Sequence, residues 1–201
     1  WIPLISLFSS CRLNELCQLC YGDIREEKGV WILDITTEED SNKAVKTVNA
    51  HRSIPVHQTL IDLGFIEYFK SLKLAPGSNI WGLKYEDKRN KYGRPMSRAF
   101  AKLRDRIFKE VLKRERKPRT KVFHSLRHTF ATFARQAFGS DLVTYFDGHS
   151  DDDDKKNETT NRYIKYNDYQ WLKSELDKVT FPEEVNKLFK RWIEQLNKDS
   201  K

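Results

Sequence analysis

The stretch Lys121-Val-Phe-His-Ser-Leu-Arg-His-Thr-Phe-Ala-Thr132 combines polar side chains with an apolar pattern that predicts a helix. His124 and Arg127 are three positions apart at the start of this helix, so their side chains share one face. An arginine fork grips a phosphate through two hydrogen bonds, and a histidine gives or takes a proton near neutral pH. Taken alone, the pair fits an ordinary amphipathic surface helix equally well. His128 is expected to point away from this face and to be packed and hydrogen-bonded.

Four further stretches accompany the first one along the chain. Phe8-Ser-Ser-Cys-Arg-Leu-Asn-Glu-Leu16 contains an arginine followed three residues later by a glutamate, and Lys46-Thr-Val-Asn-Ala-His-Arg-Ser-Ile-Pro-Val56 has the composition of a hairpin. Gly148-His149-Ser150 and Thr159-Thr-Asn-Arg-Tyr-Ile164 follow the predicted helix. Together and in this order, the five stretches resemble the signature segments of the tyrosine recombinases, the phage integrase family. The resemblance covers nearly the whole chain.

The resemblance implies a set of six catalytic residues: Arg12, Lys46, His124, Arg127, His149 and Tyr163. Tyr163 would attack a DNA phosphate, and the two arginines would hold its non-bridging oxygens. Lys46 would protonate the leaving 5′ oxygen. Each residue also has an ordinary structural explanation, such as a solvent lysine, a turn histidine or a tyrosine in the core.

The imidazoles complete this set by resemblance. His124 would assist the proton of the tyrosine or bind the phosphate, and His149 would donate a hydrogen bond to the phosphate from another side. Glu15 would support Arg12, three residues before it. This chemistry requires no metal ion and no cofactor, because the phosphotyrosyl ester keeps the energy of the broken bond for resealing.

Some positions leave alternatives open or depart from the family pattern. Lys43 competes with Lys46, and Tyr166 and Tyr169 compete with Tyr163. The family usually has glycine where this chain has Ser10. The connection between His149 and Tyr163 is longer than usual in the family, and its four aspartates, Asp151–Asp154, make it more acidic. A solvated loop is the favoured interpretation of these aspartates, and a calcium site is a weaker one.

The charge distribution favours a polyanionic partner. The 201 residues carry a net charge of +8, but the stretch from Lys84 to Lys121 alone holds 16 Lys or Arg and 5 Asp or Glu, a net charge of +11. The rest of the chain is therefore at −3. A basic block that precedes the His124 helix is typical of a phosphate-backbone footprint, although a solvated helix face has the same composition. Arg94, Arg98 and Lys121 are the residues that we expect to contact DNA.

Other features limit the alternatives. The cysteine count of three favours free thiols over a disulfide framework, and Cys17-Gln-Leu-Cys20 lacks the second ligand pair that a zinc site needs. No stretch is long and apolar enough to span a membrane, and no signal peptide is visible, so we expect a cytoplasmic protein. Because the chain begins at Trp1, we expect residues 1–201 to be one catalytic domain of a fragment that lacks the N-terminal DNA-clamping domain of the family.

The chain predicts an α+β fold, mostly helical with a small antiparallel sheet. Val30–Thr36 and Lys46–Val56 read as strands. We expect helices at Trp1–Phe8, Arg12–Cys20, Leu60–Leu72, Arg98–Arg116, from about His124 through Phe138, at Asp141–Phe146, around Tyr163, and at Asp168–Lys178 and Pro182–Asn197. In the Arg98 helix Phe100, Leu103, Ile107 and Val111 are expected to face inward. The last helix has an apolar stripe of Val185, Leu188, Phe189, Trp192, Ile193 and Leu196 that either packs on its own domain or docks onto the next subunit.

The resulting hypothesis is a site-specific recombinase or integrase of a phage or mobile element. It would act on double-stranded DNA through a 3′-phosphotyrosyl intermediate, as a tetramer on DNA and a monomer or weak oligomer when free. Two alternatives remain: a type IB topoisomerase, which uses the same strategy without partner exchange, and a DNA-binding relic of an integrase.

Overall fold

The computed structural model of the chain describes residues 1–36, 51–85, 92–115, 121–148 and 168–199. The described helices are α1 (Ile2–Ser9), α2 (Leu13–Cys17), α3 (Gln58–Asp62), α4 (Phe65–Ser71), α5 (Arg94–Arg106), α6 (His124–Phe138), α7 (Ser140–Asp147), α8 (Tyr169–Leu176) and α9 (Glu183–Asp199). The strands are β1 (Ile24–Glu27), β2 (Val30–Ile35) and β3 (Arg52–Pro55). The mixed α+β class with a small antiparallel sheet is therefore confirmed.

The three strands form one antiparallel sheet in the order β1-β2-β3. The β1–β2 hairpin turns at Lys28 and Gly29, which have positive φ angles of 51° and 77°. Two-residue turns with positive φ at both positions match the right-handed twist of the paired strands. Strand β1 was not predicted, because Ile-Arg-Glu-Glu has a single β-branched residue, and two of its other three residues are glutamates, which are depleted in strands. It is held by its pairing with β2 and lies at the edge of the sheet, where charged side chains reach solvent.

The core is built around α1, which packs along α6 and is buried at Ile5 and Phe8. Aromatic rings fill the space between the helices, and Phe8, Phe65, Phe130 and Phe146 are among the largest fully buried side chains. The apolar rear of α6 therefore anchors it, while its first residue, His124, stays at the surface.

The predicted helix over Leu60–Leu72 is two helices in the structure. The chain breaks at Gly64, which adopts a left-handed conformation with φ 86°, and α4 starts again at Phe65. Glycine pays no steric penalty there. The break lets Leu60 and Phe65 both face the core from helices with different axes.

The predicted inward face of the basic helix is wrong for three of its four residues. Phe100 packs edge-on against Phe123 with ring centroids 5.2 Å apart, but Leu103, Ile107 and Val111 are exposed. Helix α5 starts earlier than predicted, and over Ile107–Val111 the chain continues as a π-helical turn. The sequence period identifies an apolar face, but it does not say whether another element covers that face.

The C-terminal stripe is divided between the two interpretations. Phe189 is buried, with its ring 5.3 Å from that of Phe8, so one edge of α9 belongs to the core. Leu188 and Trp192 are exposed, at 59% and 58% of their surface. None of the helices in the described segments has the length and apolar character that crossing a bilayer would need.

Candidate functional site

Arg12 stands at the start of α2, where its extended backbone (φ −70°, ψ 153°) precedes the first helical residue. Glu15 reaches back from the first turn and accepts two hydrogen bonds from Arg12. Its Oε2 accepts from the Arg12 backbone N–H at 2.8 Å, and its Oε1 accepts from Arg12 Nη1 at 2.7 Å. A glutamate at this position of a helix satisfies an otherwise unpaired donor, so the same carboxylate begins the helix and orients the guanidinium.

Behind Glu15 lies a second arginine that the sequence analysis did not single out. Arg52 Nη2 donates to Glu15 Oε2 at 2.9 Å, and both side chains are at most 3% exposed. Burial acts to raise the pKa of Glu15, but the charge and hydrogen bond of Arg52, together with the bonds from Arg12, hold this pKa below its ordinary value. A signal was present in the sequence, because Arg52 alternates with Ile54 and Val56 on the face of a strand that points inward.

Arg127 lies on the first turns of α6 and is buried. Its Nη1 donates to the carbonyl oxygen of Ser10 at 2.7 Å, and its Nη2 donates to the carbonyl oxygen of Asp147 at 2.5 Å. The Asp147 carboxylate lies 3.5 Å from the same Nη2 and accepts a short hydrogen bond from the Ser10 hydroxyl. Burial lowers the pKa of Arg127 and Asp147 opposes this shift, yet a guanidinium keeps its charge at any ordinary pH.

Ser10, where the resemblance noted above would lead one to expect glycine, has a backbone conformation that glycine adopts most easily. Its φ of 62° and ψ of 6° place it in the left-handed region, as the residue that ends α1. Such a conformation costs a non-glycine residue of the order of 1 kcal/mol. The hydrogen bond from Ser10 to Asp147 is available only to a residue that has a side chain.

His124 is the first residue of α6 and is exposed. Partial burial, the neighbouring His128 and the positive charges of Arg127 and Arg12 lower the pKa of His124, while Asp147 acts in the opposite direction. The ring is therefore largely neutral at pH 7 and can accept a proton. The expectation that His128 is packed away from this face is wrong. It is exposed one helical turn further on, and its ring meets the His124 ring edge-on at 4.6 Å.

Three of the six predicted catalytic residues meet in one place. A cleft of about 230 Å³ is lined by Ser6, Cys11, Arg12, Leu13, Ser97, Val122, Phe123, His124 and Arg127. Arg12 comes from the start of α2, whereas His124 and Arg127 come from α6. Two guanidiniums and an imidazole from distant parts of the chain therefore line one cleft that is large enough for a phosphate group.

Lys46, His149 and Tyr163 lie outside the described residues. Described residues close in sequence to two of these segments nevertheless bind a cleft residue or the partner of one. Arg52, the first residue of β3, binds Glu15, and Asp147, close to the end of the described α7 segment, binds Arg127.

The expected DNA-contacting residues lie near the same cleft. Arg98 is exposed and Arg94 is half-buried at the start of α5, and Ser97 between them lines the cleft. Lys121 is exposed just before α6, with a left-handed φ of 55°. Helix α5 has no buried residue, so its basic side chains lie at the surface beside the cleft.

The cysteines of the described segments are not arranged as a reactive site. Cys11 and Cys17 are buried free thiols, and burial raises the pKa of Cys11 to about 11 and that of Cys17 to about 12. Across the described segments, no group of three His, Cys, Asp or Glu side chains is arranged to hold a metal ion.

The chain was also compared with known proteins. No protein-family model, no curated protein and no solved structure matches it.

Proposed function

We propose that this chain is the catalytic domain of a tyrosine recombinase, which cuts and rejoins double-stranded DNA through a 3′-phosphotyrosyl intermediate. One observation carries the proposal: Arg12, His124 and Arg127, chosen from the sequence by their resemblance to the family, line a single cleft. Arginine pairs that converge on one point suit a phosphate with two non-bridging oxygens.

The contacts of the arginines support a catalytic role rather than simple binding. Arg127 is fixed by two backbone carbonyls, and Arg12 is fixed by Glu15. Donors that are already oriented pay no reorganisation cost when charge develops on the pentavalent phosphate, so they stabilise the transition state more than the ground state. In this proposal Tyr163 attacks the phosphorus, and the neutral His124 ring accepts the phenolic proton or binds a phosphate oxygen.

The remaining roles follow from the resemblance. Lys46 protonates the 5′ oxygen as the bond to phosphorus breaks, and His149 donates a hydrogen bond to the phosphate. The tyrosyl ester is then attacked by a 5′ hydroxyl, which restores the DNA and frees the tyrosine. A site-specific recombinase of a phage or mobile element would carry out this exchange between two duplexes with four copies of the chain, and the exposed Leu188 and Trp192 of α9 offer an apolar surface for contact between copies.

The decisive test is covalent trapping on a nicked suicide substrate. Tyr163→Phe removes one oxygen and should abolish the SDS-resistant protein–DNA adduct, while DNA binding and the folded fraction stay near those of the wild type. Tyr166→Phe is the matched control and should keep the adduct. If the adduct survives in Tyr163→Phe and is lost in Tyr166→Phe, the nucleophile is Tyr166 and not Tyr163. Exchange between two duplexes, as opposed to relaxation of one, would separate a recombinase from a topoisomerase.

The basic helix α5 should provide much of the DNA affinity. Its start borders the cleft, so a DNA strand whose phosphate enters the cleft would pass close to Arg94 and Arg98. Each phosphate that a basic side chain neutralises releases counterions, which makes affinity depend steeply on salt.

Neutralising both residues, as Arg94→Gln with Arg98→Gln, should flatten the slope of log affinity against log salt by up to about 2. Fluorescence anisotropy with a labelled duplex across a salt series measures this slope. Lys190→Gln with Arg191→Gln removes the same charge from exposed positions on α9 and should leave the slope nearly unchanged. A slope that is unchanged in the α5 variant would place this helix away from the DNA.

A further inference from the structure

A buried ion pair lies directly behind the cleft and joins three segments of the chain. Arg52, at the start of β3, donates through Nη2 to Glu15 at 2.9 Å and through Nε to the carbonyl oxygen of Phe146 at 3.0 Å. The same Nη2 lies 3.9 Å from the Cys11 sulfur. Arg52 thereby connects the start of α2, where Arg12 lies, with the end of α7, where Asp147 binds Arg127.

Glu15 is shared between two guanidiniums of different exposure. Its Oε2 accepts from the buried Arg52 and from the backbone N–H of Arg12, and its Oε1 accepts from the Arg12 side chain. The Arg12 side chain is 21% exposed, and an ion pair with one exposed partner restrains that partner weakly by itself. The orientation of Arg12 therefore depends on how firmly Glu15 is held, and Arg52 is the residue that holds Glu15 from within the core.

Stability alone does not account for this arrangement. A buried ion pair is often no more stabilising than an apolar pair of the same volume, because both charges lose their hydration. Because the pair lies behind the cleft, it instead restrains the orientation of the Arg12 guanidinium, which lines the cleft.

We propose that Arg52 is a positioning residue for the reaction, acting on Arg12 through Glu15. This inference rests on the proposed function. Arg52 touches neither the substrate nor the reacting atoms. It fixes the carboxylate that aims Arg12 at the non-bridging oxygen, so its loss leaves the charge of Arg12 in place but misdirected.

The test is a double-mutant cycle on the nicked substrate, with cleavage rates measured at saturating DNA. Arg52→Lys keeps the charge and loses the fork that reaches both Glu15 and Phe146. We expect it to lower the rate about tenfold or more, with affinity for uncut DNA within about twofold of the wild type. In the Arg12→Ala background, the same change should lower the rate by less than about threefold, because the residue that it positions is gone. An equal loss in both backgrounds would overturn the inference.

A second substrate separates positioning from a structural role. Replacing one non-bridging oxygen of the scissile phosphate by methyl removes the negative charge that Arg12 neutralises. The defects of Arg52→Lys and Arg12→Ala should both shrink on this neutral substrate, whereas a partly unfolded variant would be equally impaired on both substrates. If Arg52→Lys fails to fold, Glu15→Gln, which keeps the shape of the side chain, takes its place in the same cycle.

The matched control is Arg25→Lys. Arg25 also pairs with a carboxylate, that of Asp34 at 2.8 Å, but the pair lies on the β-sheet and neither residue lines the cleft. This variant should cleave like the wild type on both substrates. Absence of any Tyr163-dependent adduct in the wild type would overturn the proposed function and this inference with it. If the wild type cleaves but the effects of Arg52→Lys and Arg12→Ala on the cleavage rate are additive, only the inference about Arg52 is overturned.

Discussion

Arg127→Lys should slow DNA cleavage more than about tenfold and also destabilise the fold, whereas Arg12→Lys should slow cleavage to a similar degree with little effect on stability. Both changes keep the positive charge and lose the planar fork. The difference comes from burial, because the side chain of Arg127 is 4% exposed and that of Arg12 is 21% exposed. A lysine cannot serve the carbonyls of both Ser10 and Asp147, and a buried acceptor left unpaired costs about 1–3 kcal/mol.

Single-turnover cleavage and urea unfolding of each variant measure the two effects separately. Arg135→Lys is the control on α6, because Arg135 is exposed and does not line the cleft, and it should change neither quantity. Affinity for uncut DNA should fall far less than the cleavage rate in both arginine variants. Equal losses of binding and cleavage would mean that the arginines serve ground-state binding only.

The stability of the domain should fall by about 3 kcal/mol between pH 7 and pH 4 because of His57. His57 is 5% exposed and is hydrogen-bonded as a neutral ring. Its Nδ1 accepts from the backbone N–H of Thr59 at 3.1 Å, which leaves Nε2–H to donate to the carbonyl oxygen of Val179 at 3.3 Å. Burial lowers the pKa of His57 from 6.5 to about 4.

The sign follows from the order of protonation. Well above pH 6.5 the histidine is neutral in both the folded and the unfolded state, so its full contribution to stability is present. As the pH falls towards 4, the unfolded chain takes up the proton first, and the free energy of unfolding decreases. His57→Asn keeps an acceptor for Thr59 and removes the titration, so the difference between variant and wild type in urea unfolding at pH 7 and pH 4 isolates this residue. His51→Asn, at an exposed position, should retain the wild-type acid dependence. An equally steep loss in His57→Asn would assign the acid sensitivity to other groups.

The sequence was most informative where structure depends on local pattern. The α+β class, strand β2 and the helices α1, α7, α8 and α9 were predicted to within a few residues, because apolar spacing and terminal residues decide them. Which strand pairs with which, and which helix face is covered, depends on segments that are distant in sequence. Strand β1 depends on β2, and the outward face of α5 depends on the absence of a covering element in the described segments.

The residues of the candidate site likewise differ in whether local sequence pattern or tertiary packing brings them together. His124 and Arg127 are neighbours by helical spacing, so a sequence pattern could propose them together. Arg12 joins them only through the packing of α1 against α6, and its place in the cleft became visible only in three dimensions. Arg52 lies within the Lys46–Val56 stretch, but its role could not be assigned from sequence, because its partner is a carboxylate on a distant helix.

The dispersed origin of the cleft has a consequence for synthesis of the protein. A nascent chain that has emerged as far as α5 already contains Arg12, Glu15 and Arg52, yet it lacks Arg127 and the rest of α6, against which α1 packs. Contacts between residues so far apart along the chain form late, because the intervening loop must be closed first. A prematurely terminated translation product would thus carry the basic residues of α5 without the two arginines that line the cleft. The complete cleft, with Arg127 held by the carbonyl of Asp147, would form only once α7 has left the ribosome.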